Sequence, residues 1–224
     1  MDTPEPDPRE LDAVVAGCAS AHQRLLATLD ELDDASVAQP SLLPGWTVGH
    51  VTTHLARQAD SVSRVLEAAS RGEPAERYPG GRDQRTAEIE AGAARPAREQ
   101  AEDVRRTIWR LESAWVSVPA EGWALTGTLM GQAESVSDLP FRRWREVEVH
   151  HADLGLADFT WDDWSDGYVR RDLSRAEMAW AARRPMGLTA LPAAALALTP
   201  PRRLAWLLGR LDVDGLEAAQ PWGW

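Results

Sequence analysis

Lysine is missing from this 224-residue chain, and all 24 of its basic residues are arginine. Together with the abundance of alanine, that reads as the imprint of a GC-rich genome and not as a binding property. Cysteine is almost missing too. Cys18 stands alone, which excludes a disulfide framework and a cysteine-built structural zinc site. There is no basic excess either. A net charge of −11 leaves nothing to offset phosphate repulsion, so nucleic acid is excluded as a partner. No apolar run approaches the roughly 18 residues needed to span a bilayer. The acidic, proline-rich start, Met-Asp-Thr-Pro-Glu-Pro-Asp-Pro, is unlike a signal peptide. A cytoplasmic chain with no membrane partner is the expectation.

Hydrophobic residues make up 44% of the chain and charged residues 26%, the balance of a soluble globular protein with a real core. Apolar positions Leu11, Val14, Val15, Cys18, Leu25, Leu26 and Leu29 recur at helical spacing from Pro8 to about Leu32. Cys18 sits on that stripe and reads as a small core residue. Thr47 is placed to cap a second helix running to about Arg71, with Val51, His54, Leu55, Val62, Val65 and Leu66 on its apolar side. A short helix is expected from about Arg82 to Ala93. Pro96 opens a longer one to about Val116, since proline is tolerated in a first turn. Residues 117–137 read as irregular. Asp138 can cap a further helix with Pro140 in its first turn and Gly155 at its stop.

Four main helices before residue 155 suit an antiparallel bundle. Beyond it, a helix is expected from Trp164 to about Arg183 and another over 202–210. Gly187–Leu191 and Ala194–Leu198 read as short strands. The expected fold is mainly α, with a bundle domain over residues 1–160 and a small α+β domain over 161–224.

Chemistry concentrates in Trp-Arg-Glu-Val-Glu-Val-His-His-Ala-Asp-Leu, residues 144–154. Glu146 and His150 are one helical turn apart, so a carboxylate and an imidazole share a face, as a helix offers two ligands to one metal ion. A third ligand has to come from His50 or His54, themselves one turn apart. Two imidazoles and a carboxylate with an open position suit a catalytic zinc, and iron can use the same set. His151 is rotated about 100° from His150 and reads as a supporting or surface residue. Asp153 is placed to orient His150, and His22 reads as structural. An open metal of this kind either activates water or holds a thiol as thiolate. The chain has no suitable cysteine, so such a thiol has to be a small-molecule cosubstrate.

Three segments then resemble one family together. Leu-Pro-Gly-Trp-Thr-Val-Gly-His-Val-Thr-Thr-His-Leu-Ala-Arg (43–57), Arg-Thr-Ala-Glu-Ile-Glu-Ala-Gly-Ala-Ala-Arg-Pro-Ala (85–97) and Arg-Glu-Val-Glu-Val-His-His-Ala-Asp-Leu-Gly-Leu (145–156) are similar to the mycothiol-dependent maleylpyruvate isomerases of the DinB-like metalloprotein superfamily. Leu-Leu-Gly-Arg (207–210) is a weaker match to the end of that family's C-terminal domain. The resemblance implies a DinB-like four-helix bundle with zinc on His54, Glu146 and His150, and a smaller C-terminal domain. It implies mycothiol as cofactor and cis–trans isomerisation of maleylpyruvate to fumarylpyruvate in gentisate degradation, by reversible thiolate addition. On that reading Arg210 is the candidate catalytic cation, and Arg82 and Arg85 are candidates near the cofactor. Two alternatives stay open: a mycothiol S-transferase joining the thiol to an electrophile, and a non-catalytic metal- or partner-binding bundle whose surface includes Trp222 and Trp224.

Overall fold

Asp7 accepts a hydrogen bond from the Arg9 amide and starts α1 (Pro8–Asp30), with Pro8 where a missing N–H costs nothing. In the computed structural model, residues 7–183 and 190–219 are described. Trp222 and Trp224 lie outside them. The chain divides into two compact units, Met1–Gly155 and Leu156–Trp224.

In the first unit a one-turn α2 (Asp34–Val37) leads to a loop and then to α3 (Val48–Ala69). Thr47 caps α3 in a reciprocal box with His50: the hydroxyl accepts from the His50 amide, and the Thr47 amide donates to His50 Nδ1. The helix is buried along most of its length, from Val48 to Ala69. Next come α4 (Gly81–Ala93), α5 (Ala97–Ser117) and a single-turn α6 (Ala120–Trp123). Asp34 fixes the start of α5 by accepting from the Ala97 amide at 2.8 Å. The last helix of the unit is α7 (Leu139–Asp153), which stops where Gly155 takes φ +74°. Helices α1, α3, α5 and α7 form the four-helix bundle, α3 lying against both α5 and α7, and α1 likewise. α4 packs on α3.

The stretch 117–137, expected to be irregular, contains a hairpin. Strand β1 (Thr126–Leu129) pairs antiparallel with β2 (Gln132–Ser135). Met130 and Gly131 turn the corner with φ of 50° and 79°, a conformation a methionine adopts at some cost. Glu76 offsets that cost from far away in sequence. Its carboxylate accepts from the amides of Met130, Gly131 and Tyr78 at 2.9, 3.2 and 3.0 Å. Burial alone would raise its pKa, but these donors outweigh it and hold the carboxyl at about 2.

In the second unit the described elements are helical: α8 (Asp166–Ala182), the one-turn α9 (Ala193–Leu196) and α10 (Pro200–Leu207). The run Ala194–Leu198, expected as a strand, is therefore helical and turn. Its alanines are strong helix formers behind Pro192. Arg203 satisfies the freed carbonyls of Ala195, Leu196 and Leu198, which no neighbouring strand then needs to pair. Most of Gly187–Leu191 lies outside the described residues. The mainly α fold class holds.

One polar layer crosses the apolar interior of the bundle. The Arg143 guanidinium on α7 is fully buried. Its Nη1 donates to the Leu55 carbonyl (2.9 Å) and to Gln58 Oε1 (2.7 Å), both on α3. Its Nε donates to His22 Nε2 on α1 at 3.0 Å. An arginine can only donate, so His22 is neutral with its proton on Nδ1, which goes to Glu112 Oε1 on α5 at 2.9 Å. Burial pulls the His22 pKa down to about 4, against the hydrogen bond to Glu112, which favours the charged form.

His22 protonation would set two donors face to face, so its folded pKa lies below its ordinary value of about 6.5. The stability it supports is complete above pH 6.5 and is lost as pH falls towards 4, by roughly 2–3 kcal/mol. Urea unfolding from pH 7 to pH 4 should show this decline. In His22→Gln, which takes up no proton, the decline should shrink; an unchanged slope would place the acid sensitivity elsewhere.

Candidate metal centre

Helices α3 and α7 cross so that one turn of each faces the other. His54 on α3 and Glu146 and His150 on α7 meet there. His54 Nε2 lies 3.0 Å from Glu146 Oε2, and His150 Nε2 lies 3.4 Å from the same oxygen. One ligand atom from each residue falls within 4.8 Å of the other two, and among the described residues no other such trio converges. The two imidazoles meet edge to face, 4.7 Å between centroids. Trp46, from the loop before α3, packs over His54 at 5.7 Å and stacks on His50 at 6.1 Å.

The donor set fits a divalent metal. Ligand atoms on a tetrahedral ion with bonds of 2.0–2.1 Å sit about 3.3 Å apart, close to the separations around Glu146 Oε2. Three protein donors also leave a position open, the arrangement of a catalytic rather than a closed structural site. His150 is oriented for the role. Its Nδ1 donates to Asp153 Oδ2 at 2.9 Å, which leaves Nε2 to face the cluster. The buried Asp153 carboxylate is thus one turn of helix away from the ring it steers.

The charges around the cluster follow from its burial and its partners. Burial would raise the Glu146 carboxyl, but hydrogen bonds from His150 and His54 hold it well below the usual carboxylate range. Burial lowers His54 to about 4, its bond to Glu146 offsetting only part of the shift. His150 moves the other way. Burial opposes its charge, yet the hydrogen bonds to Asp153 and Glu146 raise it to about 9. Two imidazoles in one site are thereby driven apart in basicity.

Known proteins share this arrangement of helices. A family model described as the mycothiol maleylpyruvate isomerase N-terminal domain matches residues 18–155. The chain belongs to that family. Two solved structures have the same fold with a TM-score of 0.80: a mycothiol-dependent maleylpyruvate isomerase, 20% identical, and a histidine-to-alanine mutant of such an enzyme, 19% identical. Each match covers 95% of this chain and 97% of the other. No curated protein matches the chain. No helix among the described residues is long and apolar enough to cross a membrane.

Within this maleylpyruvate isomerase-like bundle the remaining sequence candidates fall in different places. His50 is turned towards the start of α3, with Nδ1 on Thr47 and Nε2 3.4 Å from Glu90, so its ring nitrogens are engaged away from the cluster. His151 points to α1, its Nε2 2.7 Å from Thr28 Oγ1. Arg85 on α4 reaches the cluster, with Nη2 3.0 Å from His54 Nδ1. Arg82 is exposed and has no hydrogen bond or ion pair with the described residues. Arg210 belongs to the second unit, where its Nη1 donates to the Leu208 carbonyl just past α10. Trp46 and Arg143 were not singled out from the sequence. The Leu-Pro-Gly-Trp turn was a usable signal for the first, because it sets the indole directly before the capped turn of α3.

Metal-stripped protein titrated with zinc should take up one equivalent. His54→Ala and Glu146→Ala should abolish that uptake, and Asp153→Asn should weaken it by about 10–100-fold through the loss of His150 orientation. Wild-type uptake in both alanine variants would dismiss the cluster as a metal centre.

Proposed function

We propose that the chain is a zinc- and mycothiol-dependent cis–trans isomerase that converts maleylpyruvate to fumarylpyruvate in the cytoplasm. The observation carrying this reading is the convergence of His54, Glu146 and His150 on one point in a chain of the mycothiol maleylpyruvate isomerase family. A divalent metal held by these three residues supplies the Lewis acidity that keeps a thiol ionised near neutral pH.

The protein's own residues then have distinct tasks. Glu146, His54 and His150 form the donor set, and Asp153 fixes the tautomer and direction of His150. His54, when it ligates through Nε2, carries its ring proton on Nδ1. That proton would meet the Arg85 guanidinium donor against donor, so Arg85 would be released from His54 and available to an anion. Arg85 is thus assigned to the carboxylates of the bound thiol or substrate, where a planar fork of N–H groups is the fitting partner. Arg82, one turn before it, is assigned to the outer part of the thiol. Arg210 is assigned to the developing enolate on family resemblance alone. Reversible addition of the thiol to the conjugated double bond frees rotation, and its departure leaves the trans product and the thiol unchanged.

Ultraviolet monitoring of maleylpyruvate with metal-loaded protein tests the proposal. Turnover should require mycothiol, and the thiol concentration should stay constant throughout. Arg85→Ala should lower kcat/KM by roughly 10²-fold. Stoichiometric loss of thiol would replace the isomerase by an S-transferase, and absence of any reaction with thiol and metal present would leave a non-catalytic bundle.

A further inference from the structure

The buried guanidinium of Arg143 lies one turn from the cluster on both helices that build it. On α7, Arg143 is three residues before Glu146. On α3, its acceptors Leu55 and Gln58 are one and four residues after His54. Two hydrogen bonds of 2.9 and 2.7 Å from one planar nitrogen therefore fix the distance between α3 and α7 at the level of the cluster. On its other side the same guanidinium donates to His22 of α1, which is itself held by Glu112 of α5. Arg143 of α7 thus bonds directly to α1 and α3, and reaches α5 through His22.

Stability alone is a poor reason for such a group. No carboxylate is bridged to Arg143 among the described residues, and its Nη2, like Gln58 Nε2, is buried without a partner. A buried cation with unsatisfied donors costs free energy that an apolar residue of similar volume avoids. What an apolar residue cannot do is hold two helices at a set spacing through directional bonds.

We propose that Arg143 is a positioning residue for the metal centre, setting the approach of His54 to Glu146 and His150 by tying Leu55 and Gln58 of α3 to α7. The proposal rests on the metal reading of that cluster. Arg143 touches neither metal nor substrate. It acts through the helix on which His54 rides.

The test is cobalt(II) titration of the metal-stripped full chain, read by the visible absorption that distinguishes four-coordinate from six-coordinate cobalt. Arg143→Lys keeps the charge but loses the fork, and should weaken cobalt binding by about 10-fold or more with a changed spectrum. Gln58→Leu leaves Arg143 in place and removes one of its anchors, and should shift the spectrum in the same direction by less. Ile108→Ala, a cavity in the core of α5, should lower the unfolding temperature while leaving affinity and spectrum as in the wild type. The proposal is overturned if Arg143→Lys and Gln58→Leu, folded by circular dichroism, bind cobalt with wild-type affinity and spectrum. It is also overturned if Ile108→Ala disturbs the spectrum as much as they do. A wild-type chain that takes up no cobalt overturns the metal reading itself and the positioning role with it.

Discussion

A guanidinium in the middle of a helical bundle has to find acceptors on its neighbours, and that requirement organises the first unit. Arg143 finds its acceptors on α1 and α3, and His22 passes the demand on to Glu112 of α5. Taking a cation out of water costs several kcal/mol, and directional bonds recover it only when their geometry is good. The helices therefore cannot slide or rotate at this layer without leaving further donors unpaired. The buried side chains of Leu25, Leu55, Ile108 and Leu139 supply cohesion, but apolar packing tolerates small shifts. The polar layer does not.

That constraint bears directly on the cluster above it. Neither α3 nor α7 carries a complete donor set. α7 offers Glu146 and His150 by its own periodicity, and α3 offers His54, so the third donor depends on the relative height of two separate helices. An error of one ångström there would pull His54 Nε2 away from Glu146 Oε2. The capped start of α3 contributes as well. Because the Thr47–His50 box consumes His50, only the next imidazole along α3 faces Glu146. A helix cap thus turns one of two histidines a turn apart away from the cluster.

Much of this was legible in the sequence. The long helices announced themselves by apolar spacing and by end signals: Pro8, Thr47, Pro140 and Gly155. Glu146 and His150 were readable because a four-residue spacing is a local property of one helix. His54 was not separable from His50 by spacing, although a threonine three residues before a polar side chain is a capping signal. The hairpin was hidden for a physical reason. Thr126–Leu129 and Gln132–Ser135 lack apolar alternation, and the turn is stabilised by Glu76, more than fifty residues away. Arg143 was masked by its neighbours in Phe-Arg-Arg-Trp-Arg, residues 141–145. Arg142 is half-exposed against Glu134 and Arg145 lies over Phe141, so a buried arginine between them is easily read as another surface charge. Its register gives it away, since Leu139, Arg143, Val147, His150 and Leu154 fall on one buried stripe.

The fate of Cys18 bears most on the chemistry. It lies on the inner face of α1, wholly buried, with Sγ 3.7 Å from His22 Nε2. A cysteine beside a histidine can be a nucleophile, but only if the imidazole can take its proton and the thiolate is solvated or paired. Here His22 Nε2 already accepts from Arg143, and burial drives the thiol pKa far up despite the nearby guanidinium. Cys18 is thus held as a neutral core thiol. Any sulfur nucleophile working at the cluster near neutral pH has to arrive from outside the chain. The exclusion narrows the thiol-dependent reading: the sulfur would have to be that of a diffusible thiol, because the chain supplies no side-chain thiolate of its own.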